Sequence, residues 1–156
     1  MQRMDRPRTP LLFAAGAIVA LVLAIAELME VTGLFGGADH VLHDTYYVVA
    51  HTSSVLKLAA LFAILAVWYF AFPKVTGWAY SDRLGKVHFW LWVVGLVASS
   101  FPFALFPGLL RQAANDPDVL WPWILVSSIG AYLAAAGALV FLVNMVLAFV
   151  RRRPAR

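Results

Sequence analysis

The chain has 156 residues, 63% of them hydrophobic and 13% charged, with a formal net charge of +4. A soluble domain is roughly 45–50% apolar and about 25% charged, so this is the composition of a membrane protein. There is no cysteine, which excludes disulfides, thiolate metal sites and thiol catalysis.

Four apolar blocks follow one another at about 11–29, 46–72, 89–110 and 120–150. Each approaches or exceeds the roughly 20 residues that a helix needs to cross the hydrocarbon layer. None alternates with the period of a barrel strand. They predict an all-α integral membrane four-helix bundle, one transmembrane domain over residues 1–156.

Charge sets the expected topology. Arg3, Arg6 and Arg8 precede the first block, Lys74, Arg83 and Lys86 separate the second from the third, and Arg151, Arg152, Arg153 and Arg156 follow the fourth. Glu30, Asp39, Asp44, Asp116 and Asp118 collect on the other two connections, with Arg111 as their basic residue. By the positive-inside rule both termini and the middle loop are expected in the cytoplasm, across a bacterial-type inner membrane. The basic clusters read as topology anchors and contacts to anionic lipid, not as a nucleic-acid surface.

In the first block, Ala24-Ile25-Ala26 before Glu27 has the small-residue pattern of a signal-peptide cleavage site. The apolar run is long for a signal sequence, so a retained span is expected. Glu27 and Glu30 lie near its outer end and read as interfacial carboxylates.

The second block opens with the polar string His43-Asp44-Thr45-Tyr46-Tyr47-Val48-Val49-Ala50-His51. A histidine inside a membrane helix is costly unless ligated or hydrogen-bonded, so it marks a candidate site. His51 lies seven residues past Asp44, nearly two turns and about 10 Å along the axis on the same face. This suits a cofactor inserted edge-on with its charged groups toward water. Lys57 falls deeper, at helical spacing from Ser53 and Ser54, and forms a polar stripe with them. Two readings stay open: contact with an acid such as Glu27 or with another subunit, or a lysine that is neutral or snorkels.

Phe72-Pro73-Lys74-Val75-Thr76-Gly77 is predicted to break the second helix, and Asp82 to cap the third. In the fourth block Gly130, Ala131, Ala134, Ala135, Ala136, Gly137 and Ala138 form a small-residue patch. Such a patch permits close helix approach, either within the chain or against a neighbouring subunit.

From about Asp39 to the C-terminus the sequence resembles the last four helices of subunit I of the haem-copper oxidases, the terminal oxidases of respiration. The resemblance rests on VLHDTYYVVAH (Val41–His51), FPKVTGW (Phe72–Trp78), LGKVHFW (Leu84–Trp90) and Phe101-Pro102. It implies cofactor-binding roles for three residues: His51 as axial ligand of the high-spin haem, with Asp39 and Arg111 near the haem propionates. It implies His43 and Asp44 as ligands of a magnesium or manganese site, which two ligands alone cannot fill, so a partner chain would contribute. His88 matches a histidine that is not a haem ligand.

The departures bear on activity. Ser53 stands where the family has its low-spin haem histidine, and Gln112 replaces the second of two paired arginines. A hydroxyl is not among the usual axial ligands of haem iron. The helices that carry the copper histidines in the family have no counterpart in these residues. Oxygen reduction by this chain alone is therefore not expected, and no catalytic residue is assigned.

The favoured reading is a truncated subunit I-like protein, a non-catalytic or accessory subunit of a respiratory or other bioenergetic membrane complex. The alternatives are a small haem-binding electron-transfer subunit using His51, and one half of a split terminal oxidase. Haem at His51, a divalent metal at His43 and Asp44, or no cofactor at all remain open at this point. The partners expected are other membrane subunits and the lipid bilayer.

Overall fold

The computed structural model describes residues 8–31, 45–105, 118 and 121–154, and their side chains except at 27, 30, 31, 45–54 and 100–105. The fold is all-α. Among the described residues four long helices occur: α1 (Thr9–Val31), α2 (Thr45–Thr76), α3 (Asp82–Leu105) and α4 (Trp121–Arg151). The stretches Thr9–Ala26, Val55–Thr76 and Trp121–Arg151 are each long and apolar enough to cross a membrane. α3 begins with Asp82, Arg83 and Lys86, and only beyond Lys86 is it continuously apolar apart from His88 and two serines.

The chain divides at Thr76 and Gly77 into two compact units, each a helical hairpin. In the first, α1 buries Thr9, Phe13, Ala20 and Ala24, and α2 buries Ala59, Phe62, Leu65, Tyr69 and Phe72. Both sets recur at steps of three, four or seven residues, so each forms one stripe on its helix. Phe13 is fully buried, with its ring stacked on Tyr69 at 5.4 Å and tilted against Phe62 at 5.8 Å. A residue near the start of α1 thus meets the later turns of α2, and the helices run antiparallel.

Within the stretch Phe72–Gly77, expected to break the second helix, Pro73 does not end it. α2 continues through Pro73 to Thr76, whose hydroxyl donates to the Phe72 carbonyl at 2.7 Å. A proline costs most in a helix interior, and here only one turn remains after it. Gly77, at φ 73°, ends the helix in the left-handed conformation that glycine adopts without steric penalty.

In the second hairpin α3 and α4 approach through small residues. A Cβ built on Gly95 would lie 2.6 Å from the Ala134 backbone nitrogen and 2.7 Å from the Gly130 carbonyl oxygen. One built on Gly130 would collide with the Ser99 nitrogen and the Gly95 oxygen. The small-residue patch of α4 therefore packs within the chain at Gly130, Ala134 and Gly137, while Ala131 and Ala135 remain exposed. The Ser127 hydroxyl donates to the Ser99 carbonyl at 2.7 Å across the same contact.

The start of α3 also differs from expectation. Ser81, not Asp82, is the cap: its carbonyl accepts from Gly85 at 3.0 Å and its hydroxyl from the Leu84 N–H at 3.4 Å. Asp82 sits in the first turn, where its carboxylate holds Lys86 Nζ at 2.7 Å. A serine oxygen reaches the orphan N–H groups of the first turn, and an acid one position later favours the helix dipole instead.

Candidate functional site

Of the residues singled out from the sequence, His51 lies in the second turn of α2, with its side chain outside the described set. Asp39, His43, Asp44 and Arg111 lie outside the described residues. Ser53 is part of the same unbroken helix, two residues on from His51. At 100° per residue the two positions lie about 200° apart around the axis, so each serves a different side of α2.

Lys57 is exposed and shares a stripe of α2 with the exposed apolar residues Leu61, Ile64 and Trp68. That stripe is turned away from the face that packs on α1, to which Ala59, Phe62 and Leu65 belong. Phe13 lies level with the α2 segment between Phe62 and Tyr69, so the antiparallel register puts Lys57 level with the middle of α1. The ammonium sits at mid-span depth on an apolar flank. Contact with Glu27 falls outside the described side chains.

The best-defined polar site is at the opposite end of the molecule's sequence, between α3 and α4. Asn144 is fully buried; its side-chain oxygen accepts from the Ser81 N–H at 2.9 Å, and its amide nitrogen donates to the Ser81 carbonyl at 3.1 Å. Farther along α3, His88 is buried edge-on to Trp92 at 5.1 Å and against Phe141 of α4 at 5.3 Å. Below Asn144 the end of α4 folds back. Ala79 N–H donates to the Arg153 carbonyl at 2.8 Å, and Trp78 packs edge-on to Phe149 at 5.2 Å. These contacts fix how the hairpin closes.

Sequence reasoning passed over Asn144. The signal was present: it is the single carboxamide in the fourth apolar block, and an amide in a membrane helix seeks a partner on a neighbouring one.

Haem is the cofactor that the resemblance implies, and the donor set limits it. Position 51 offers an imidazole, which could serve as one axial ligand of such a haem, and position 53 a hydroxyl, which is not among the usual axial ligands of haem iron. Among the described residues no group of three or more His, Cys, Asp or Glu side chains converges on a metal position.

Two antiparallel hairpins of long apolar helices define a multi-pass α-helical membrane protein. Comparison with known families places it further. The family model described as "Cytochrome C and Quinol oxidase polypeptide I" matches residues 1–133, which takes in α1 and ends within α4. Cytochrome c oxidase subunit 1 of Yarrowia lipolytica is 35% identical over 133 residues, covering 84% of this chain and 23% of the relative. The subunit of the same name from Cereibacter sphaeroides is 38% identical over 140 residues, covering 86% of this chain and 24% of the relative. The chain belongs to the cytochrome c and quinol oxidase polypeptide I family, and it spans about a quarter of the length of these curated relatives.

Proposed function

We propose that this protein is a subunit I-like component of a respiratory or other bioenergetic membrane complex and does not reduce oxygen by itself. The observation that carries this reading is Ser53, a hydroxyl where electron delivery to the oxygen-reducing centre needs an imidazole. Gln112 in place of an arginine that would pair with a propionate supports it. The test is oxygen uptake by the purified chain with reduced cytochrome c or quinol. No turnover is expected, and measurable turnover would refute the proposal.

The topology belongs to the same reading. Antiparallel packing brings Arg8 and Lys74 to one end of the first hairpin, and Arg83, Lys86 and the Arg151–Arg153 run to one end of the second. We assign those ends, with both termini, to the cytoplasmic face of a bacterial-type inner membrane. Cysteines introduced at positions 2 and 155 should react with membrane-impermeant reagents only after the cells are opened.

A second reading is favoured by the retention of His51 within an uninterrupted helix. Here the chain holds one haem on the His51 side of α2, with Asp39 and Arg111 toward its propionates and His43 and Asp44 toward a divalent metal shared with a partner. When bound, the haem would supply electron transfer. A Soret band in the natively purified protein, lost in His51→Ala, would establish this reading, and a colourless preparation from haem-replete cells would eliminate it.

A further inference from the structure

The basic end of the α3–α4 hairpin holds a cavity of about 230 Å³. Its walls include Tyr80, Ser81, Arg151 and Arg153, and its apolar side is made by Leu84 and Leu147. The lining contains two guanidinium groups and no acid. Among the described residues neither Arg151 nor Arg153 is held in an ion pair, and both are exposed.

The start of α3 and the end of α4 meet here, and their dipole ends carry opposite partial charges of about half a unit each. Those contributions oppose one another, so the two arginines set the sign of the field. Depth is fixed by the same helices. The apolar run of α4 ends at Val150, immediately before Arg151, and Trp78 lies beneath Arg152, whose guanidinium carbon is 5.5 Å from the ring centroid. An aromatic ring, a ring of arginines and the end of an apolar span together mark the membrane–water boundary. The cavity is smaller than the roughly 300–1,000 Å³ of a typical small-molecule site, which suits a compact anion rather than a nucleotide or a flat cofactor.

We propose that this cavity is a binding site for the phosphodiester headgroup of an anionic phospholipid. Arg151 and Arg153 take the phosphate, and the Leu84–Leu147 side receives the start of the acyl chains. A free phosphate ion shares the first of these chemistries but has nothing to place against the leucines. The site depends on the α3–α4 hairpin alone and not on the redox role of the protein.

The test uses the full chain in mixed micelles, with native mass spectrometry counting retained lipid. Phosphatidylglycerol and phosphatidylcholine with identical acyl chains are the probes. Phosphatidylglycerol should be retained preferentially, and R151Q/R153Q should reduce that preference on the order of twentyfold, since each basic residue contributes about a factor of five. Removing the charges of Arg83 and Lys86, which do not line the cavity, should leave most of it. Leu147→Trp, which fills the space and keeps both charges, should abolish retention, and it tests the site even if the arginine variant fails to fold. Equal retention of the two lipids would overturn the proposal. So would equal effects of the two charge-removing pairs, or displacement of the lipid by millimolar inorganic phosphate.

Discussion

Asn144 and Ser81 are joined by two hydrogen bonds, one in each direction, between a carboxamide on α4 and the backbone of the residue that caps α3. A single side chain thereby fixes where α3 begins relative to the end of α4. The two bonds are not equivalent. The Ser81 carbonyl also accepts from Gly85, whereas the Ser81 N–H has Asn144 as its acceptor.

Replacement of Asn144 by leucine, which has the same branching but no polar atoms, should therefore orphan one part-buried N–H. The expected loss is about 1–3 kcal/mol, toward the lower end if detergent or lipid lets water in. Thermal unfolding in detergent, followed by far-UV circular dichroism, checks this. An Asn144→Leu protein as stable as the parent would show that the clamp is dispensable.

The glycines of the α3–α4 contact should differ in cost according to what each faces. Gly95 and Gly130 face backbone, which cannot step aside, so alanine at either should force the helices apart and destabilise by about 1–3 kcal/mol. Gly137 faces the Trp92 ring at 2.5 Å, which can rotate away, and the Leu91 Cβ at 3.2 Å, which needs to give by only a few tenths of an ångström. Gly137→Ala should be the mildest of the three. The same unfolding series reads the order, and a reversed ranking would contradict the packing described.

Phe13 carries much of the aromatic packing in the first hairpin. Truncation to alanine removes its contacts with both Phe62 and Tyr69, and should cost about 3–5 kcal/mol if the cavity does not collapse. In lipid the transfer part of that cost shrinks, because acyl chains also solvate the exposed rings, so the measured loss should fall below the range for water-soluble cores. Thermal unfolding in detergent compares the variant with the parent; an unchanged transition would count against the assignment.

Lys57 should behave in the opposite way. Its position on an exposed apolar flank predicts that Lys57→Leu improves membrane insertion of α2 by about 2.5–3.5 kcal/mol while leaving the α1–α2 hairpin intact. A glycosylation-based insertion assay measures the first effect and unfolding the second. A destabilised hairpin would reveal a contact to Lys57 within that unit.

Much of the architecture could be read without coordinates. The run lengths of the apolar blocks imposed helices, because in hydrocarbon each backbone polar group must be satisfied inside its own segment. The family could be read from VLHDTYYVVAH, since it depends on residue identity alone. Partnership could not be read in this way. Helical periodicity allowed the small-residue face of α4 to meet either this chain or another, and the Gly95–Gly130 approach decided it. The cap lay one residue before the expected Asp82, and of the two expected breakers Gly77 rather than Pro73 ended α2, because Ser81 and Gly77 act through backbone geometry that composition does not encode. Asn144 was legible as an amide in an apolar helix but not as the clamp on Ser81, a residue 63 positions away. Sequence specifies which groups must find partners, and only the packed helices determine which partners lie within hydrogen-bonding reach.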